Sequence, residues 1–144
     1  MSKKGRRVLI ALGVLVVLGL LMTAGAWLLE TNPPVAQEPR WDSPATRALA
    51  VRACFDCHSN ATVWPWYARL PLSSWLLAFD VTLGRRELNF SEWNAGRRGG
   101  SGEAAETIQR GSMPPAQYVL MHPSAALSAQ EKQQLIQGLQ QSLK

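Results

Sequence analysis

The sequence predicts an all-α protein: a small helical domain preceded by one N-terminal transmembrane helix. Three observations carry that expectation. Val8 to Leu29 (VLIALGVLVVLGLLMTAGAWLL) runs for 22 residues without a charge. Further on, apolar residues recur at helical spacing behind serine caps, most clearly over Ser128 to Leu143. No segment alternates apolar and polar residues as a half-buried strand does.

The N-terminal element comes first. As a helix rising about 1.5 Å per residue, the uncharged run spans roughly 33 Å, against about 30 Å for a bilayer's hydrocarbon core. Lys3, Lys4, Arg6 and Arg7 precede it and no acidic residue appears before Glu30. Positive charge on that side keeps the N-terminus in the cytoplasm and exports everything after Glu30. A cleaved signal peptide, with Ala24-Gly25-Ala26 as its small-residue site, competes with this reading, and a buried helix of a soluble fold is a third. The apolar run continues through Trp27, Leu28 and Leu29, which favours a retained anchor. Both leading readings deliver the same domain to the same compartment.

The tail also explains the charge. It holds four of the fifteen basic residues, and beyond it eleven basic residues face ten acidic ones, so the net +5 is a tail property. A nucleic-acid binder carries a basic face on its folded domain, so no nucleic-acid partner is expected. The division is a basic cytoplasmic tail at 1–7, an anchor at 8–29, a linker at 30–42 and a helical domain at 43–144. Thr31 to Asp42 (TNPPVAQEPRWD) has three prolines and no periodicity, as an extended linker does.

Within the domain, Ser43-Pro44 predicts a helix start: a hydroxyl cap followed by proline at the first helical position. That helix runs into Cys54. Trp64-Pro65-Trp66-Tyr67 is too broken by proline for a regular helix. Ser73 and Ser74 are caps for a second helix with Trp75, Leu76, Phe79 and Leu83 on one apolar face. Gly102 to Arg110 is a third, after a low-complexity loop at Arg97-Arg98-Gly99-Gly100-Ser101-Gly102. Ser128 and Glu131 make a capping box for the last, whose Leu135, Ile136, Leu139 and Leu143 form one stripe. This is a thin core, yet four of the six tryptophans fall between Trp64 and Trp93. A large flat cofactor would supply what the core lacks.

The two cysteines of the chain stand in Cys54-Phe55-Asp56-Cys57-His58. A thioredoxin-like redox pair needs its first thiol at a helix N-terminus in an α/β unit; here the pair ends a helix and no strand is predicted. A zinc site counted from Cys54, Cys57, His58 and His122 makes adjacent residues serve one tetrahedral ion. A disulfide across two residues is strained and closes a negligible loop. The fourth use is attachment of a c-type haem, in which each thiol adds to a porphyrin vinyl group and the next histidine lies under the iron. Cys54 and Cys57 are therefore the expected thioether anchors of one covalent haem c, with His58 as proximal iron ligand.

Helix, CxxCH, a methionine in a proline loop and a final amphipathic helix is the order found in cytochrome c. More narrowly, CFDCHSNATVWPWY, PLSSWLLAFDVTLGRRELNFSEWN and GSMPPAQYVLMHPSAALSAQEKQQLIQGL resemble the small bacterial haem-binding domain family, over about residues 41 to 143. Such domains occur alone behind a membrane anchor or fused to cytochrome c and di-haem peroxidase modules. The resemblance implies a cytochrome c-like helical domain wrapped around a covalent haem.

The sixth iron position is open between candidates. Met113 follows His58 by 55 residues, in Gly111-Ser112-Met113-Pro114-Pro115, where prolines stiffen the loop; Met/His ligation raises the potential. The competing reading is a methionine packed on the haem edge. His122, in Leu120-Met121-His122-Pro123, is the alternative distal ligand or a surface turn residue. Met121 is a weaker candidate and a better core residue. Trp64, Trp66 and Tyr67, with Trp75 and Trp93, are candidates for the haem pocket, where core and pocket coincide. Arg69, Arg85 and Arg86 are candidate propionate partners.

Glu92 and Asp80 lack a companion at a telling spacing, so nothing marks an acid–base pair for catalysis. The expectation is an electron carrier on the periplasmic side of a bacterial inner membrane, single-pass, serving redox partner proteins in the membrane or periplasm. A haem-based ligand-binding or sensor module, or an accessory domain to a peroxidase-like enzyme, is the alternative.

Overall fold

The computed structural model describes residues 2–28, 30–93 and 100–143. The loop residues Arg97, Arg98 and Gly99 lie outside the described residues. In chain order the α-helices are α1 (Lys3–Trp27), α2 (Pro44–Ala53), α3 (Phe55–His58), α4 (Pro71–Glu87), α5 (Ser101–Gln109), α6 (Ala116–Met121) and α7 (Ala129–Ser142), with 3-10 turns at Trp66–Arg69 and Pro123–Ala125. Among the described residues there is no strand, only an isolated bridge between Gln37 and Glu92. The protein is all-helical, as its sequence predicts.

The chain divides into two compact units, one of Met1–Thr31 and Trp64–Asp80, the other of Asn32–Val63 and Val81–Lys144. In the first, α1 is the apolar helix, long and apolar enough to cross a membrane. It begins at Lys3 rather than Val8, with lysine and arginine as good helix formers and the Ser2 hydroxyl accepting the Gly5 N–H at 3.1 Å at its start. Its apolar side chains are exposed. α4 begins at Pro71, not behind Ser73 or Ser74. Proline suits the first helical turn, and the two hydroxyls instead donate to backbone carbonyls, Ser73 to Tyr67 and Ser74 to Pro71. The apolar face predicted for this helix exists but is not core: Leu76 is 59 % exposed and Phe79 61 %.

The second unit holds the core. Ser43 caps α2 as expected, its hydroxyl accepting the Thr46 N–H at 3.1 Å, an arrangement that contributes about 1 kcal/mol. Ser128 and Glu131 form the predicted capping box on α7. α5 and α2 both pack on α7, burying Leu135, Leu139 and Ile108 with Leu49, Phe55, Phe90 and Trp93. Gly138 lets α7 approach α2 closely, since a Cβ there would collide with the Thr46 side chain. The segment before α2 is extended, as its prolines predict, and hydrogen-bonded: Ala36 and Gln37 donate to Ser91 O, and Trp93 donates to Gln37 O. At the other end, the Asp42 N–H donates to Ser142 Oγ at 3.0 Å, which in turn donates to Gly138 O.

Candidate functional site

The motif is built by one helical end running into another. Cys54 closes α2 through its N–H to Ala50 O, and its own carbonyl then accepts from Cys57 N at 3.2 Å and His58 N at 2.9 Å. That single turn, α3 with Cys54 at its N-cap, carries both cysteines and the histidine. Phe55 fastens it to the core, buried and stacked on Phe90 with ring centroids 5.5 Å apart. Four-residue α3 escapes sequence reading because one turn has no periodicity to detect.

His58 carries the deciding geometry. Its Nδ1 lies 2.9 Å from Gly84 O and 3.0 Å from Leu88 O. Carbonyl oxygens only accept, so Nδ1 holds the proton and shares it between them. The lone pair is therefore on Nε2, the tautomer a metal-ligating histidine needs. Burial pushes the His58 pKa down, opposed by the bonds to Leu88 and Gly84, so the ring stays neutral.

Gly84 makes this possible. A Cβ at that position would lie 3.0 Å from both the carbonyl carbon and the Cβ of Cys57, and closer still to its carbonyl oxygen. Only a glycine lets the α4 backbone come near enough to present its carbonyl to the imidazole. The sequence carried a signal for this that went unread: a glycine inside a helix costs about 1 kcal/mol relative to alanine, so it calls for a packing reason.

The strand of chain leaving the motif is clamped. Phe90 N–H donates to His58 O at 2.8 Å. Buried Asn60 takes the Ser91 hydroxyl as acceptor for its N–H, and its amide group donates to Pro34 O and Glu92 Oε1. Asn89 donates to Asn60 Oδ1 at 2.9 Å. Arg85 donates from Nε to Ser59 O at 2.7 Å, and its terminal nitrogen reaches Thr62 and Asn32. These bonds give Arg85 a positioning role that its candidacy as a propionate partner did not foresee. Together they hold His58 between two fixed neighbours.

The Cys54 thiol is held in its protonated form. Cys54 stands at the N-cap of α3, a place that favours thiolate, but burial pushes its thiol up to about 12, with Cys57 adding in the same direction. Cys54 and Cys57 form no disulfide with each other. Among the described residues no three of His, Cys, Asp and Glu converge as around a lone ion, which tells against the zinc grouping with His122.

The remaining candidates divide. Tyr118 on α6 donates from its hydroxyl to Asp56 Oδ2 at 2.6 Å, and His122 stacks on the Tyr118 ring with centroids 4.4 Å apart. Residues 56 and 58 project about 200° apart on a helix, so His122 is tied to the face of α3 that Asp56 occupies, not that of His58. Met113 sits in the loop after α5, its N–H on Thr107 O at 3.2 Å and its side chain partly exposed. Met121 is 52 % exposed, not the core residue expected, because α6 buries none of its side chains. Trp93 is core. Trp64, Trp66 and Tyr67 belong to the first unit. There Trp66 is exposed with its ring edge-on to Tyr67, and the Trp64 indole nitrogen is buried with no partner among the described residues.

A neutral, oriented imidazole next in sequence to two cysteines of one turn, with the Cys54 thiol held protonated by burial, is a fit for a haem. Residues 15–141 match the pattern of a haem-binding domain. The chain belongs to the haem-binding domain family. The match begins inside α1, well before residue 41 where the resemblance was first legible, so the second half of the apolar helix is part of the family pattern. No curated protein and no solved structure matches the chain.

Proposed function

We propose that this haem-binding domain protein is a membrane-anchored, mono-haem c-type cytochrome that transfers single electrons on the periplasmic side of a bacterial inner membrane. The observation that carries the reading is the His58 tautomer: Nδ1–H shared between Gly84 O and Leu88 O leaves Nε2 as a donor atom. Cys54 and Cys57 hold one haem c by thioethers, and His58 is the proximal ligand. Bound there, the haem supplies a one-electron iron couple whose potential depends on its axial ligands. The chain's own work is to orient and to exclude. Gly84 and Leu88 fix the ring, while Arg85 and Asn60 fix the backbone that follows it. Phe55, buried with Phe90 and Trp93 in the core, anchors the turn that carries it.

Met113 is the proposed sixth ligand. His122 is the less suited alternative, since its ring is engaged with Tyr118 on the Asp56 face. α1 is the retained anchor, and redox proteins of the membrane or periplasm are the partners. The test is the absorption spectrum of protein produced in a haem-attaching host, ferric and ferrous, with and without carbon monoxide. A low-spin ferrous spectrum indifferent to carbon monoxide is the expected result. A spectrum that shifts on its addition would replace the electron carrier with a ligand-binding or sensor module.

A further inference from the structure

Between Arg69 and Asp80 lie ten residues without a charge, Leu70 to Phe79, most of them in the first half of α4. Leu72, Leu76 and Phe79 follow one another at helical spacing and are 80 %, 59 % and 61 % exposed. The same spacing on α7 places Leu135 and Leu139 in the core, fully covered. On α4 the stripe is left exposed by the described residues. Scattered exposed leucines need no explanation, but an uncharged helical face flanked by exposed Trp66 and Leu70 does.

Its cover follows from what the same unit holds beside it. The Trp75 indole N–H donates to Met22 O at 2.9 Å. A Cβ on Gly25 would lie 3.2 Å from the Trp75 ring, and one on Gly19 would lie 3.9 Å from Pro71. Gly19, Met22 and Gly25 are all inside the uncharged run of α1, so Pro71 and Trp75 sit at the depth of that run. Met22 is five residues from the end of α1 at Trp27, about 7.5 Å along a helix axis. Helices lying in a bilayer surface seat their apolar faces about 5–10 Å deep. The charges fall at the right level too: Arg69 is within electrostatic reach of Glu30, the first charge after the run.

We propose that Leu72, Leu76 and Phe79, with Trp66 and Leu70, insert into the outer leaflet alongside α1, making a second membrane contact. The occupant of the stripe is lipid. Continuity with α1, whose uncharged run Trp75 meets at Met22 and Gly25, favours lipid over a second copy of the chain. The proposal rests on α1 being a retained span.

The test uses full-length haem-loaded protein in vesicles of phosphatidylcholine and phosphatidylglycerol. Leu72→Cys, Leu76→Cys and Phe79→Cys are spin-labelled one at a time, with Leu18→Cys inside α1 and Gln134→Cys on the exposed side of α7 as references. The wild-type chain, carried through the same labelling, is the blank, and an unaltered haem spectrum shows that each variant is folded. The expected result is that all three stripe labels follow Leu18→Cys, with oxygen accessibility severalfold above that of a water-soluble nickel chelate, while Gln134→Cys shows the reverse. Stripe labels that follow Gln134→Cys overturn the proposal while the anchor stands. Immobile labels shielded from both reagents also overturn it, in favour of a protein contact. A Leu18→Cys label open to the nickel chelate removes the anchor and the proposal with it.

Discussion

Replacing Gly84 by alanine tests the central geometry of the site. In an ordinary helix interior this change stabilises by up to about 1 kcal/mol. Here the new methyl would meet the Cys57 carbonyl carbon and Cβ at 3.0 Å, with the carbonyl oxygen nearer. Relief requires α4 and α3 to part by about an ångström, and such overpacking costs about 1–3 kcal/mol. The same movement stretches the His58 contacts, 2.9 and 3.0 Å, past the range of a hydrogen bond. A buried Nδ1–H left without its acceptor costs about 1–3 kcal/mol more. Against the propensity gain, the expected net is a loss of about 3 kcal/mol, read by urea denaturation of the haem-loaded protein. The second readout is the potential. An imidazole that no longer donates from Nδ1 is a weaker ligand for the ferric iron, so the potential rises; a tenfold change in relative affinity corresponds to about 59 mV for a one-electron couple. Gly102→Ala is the control, because a Cβ there meets open space. A Gly84→Ala protein as stable as wild type, with an unchanged potential, would show that close approach does not orient His58.

Three further outcomes are expected. With Cys54 and Cys57 both changed to serine, haem should extract into acidified organic solvent, whereas the wild-type chain should retain it through denaturing electrophoresis. Met113→Ala should open the iron to carbon monoxide and abolish the low-spin ferric spectrum, while His122→Ala should leave both unchanged. The third concerns acid. The Ser128 N–H, then the Arg52 guanidinium and the Ser128 hydroxyl, hold the Glu131 carboxyl down at about 2 against its usual 4.5. A depressed pKa contributes stability that is whole above 4.5 and is lost as pH falls toward about 2. Glu131→Gln should therefore flatten the acid limb of the stability profile between those values, read by circular dichroism at fixed urea.

Ser43 and the Ser128–Glu131 pair could be read directly because a cap is a local event: its partners lie within a few residues. The same holds for the CxxCH motif, whose members share one turn. Gly84 and Leu88 were out of reach, since they meet His58 across 26 and 30 residues of chain, and no local pattern announces a backbone carbonyl as a partner. Tyr118 and Asp56, 62 residues apart, were hidden for the same reason. The stripe on α4 was half legible. Periodicity tells which residues share a face, but what covers that face is decided by neighbours far away in sequence. α6 was missed because six residues with no buried side chain leave no amphipathic signal.

The bond from the Asp42 N–H to Ser142 Oγ joins residues a hundred positions apart, and it changes how the two ends of the helical pair let go. A terminal helical turn ordinarily opens and recloses on its own, at little cost. Here the last turn of α7 and the segment leading into α2 share one hydroxyl, which also reaches Gly138 O, so fraying at either end strips the other of its partner. The two ends are therefore expected to exchange their amide protons together, as one opening event rather than two.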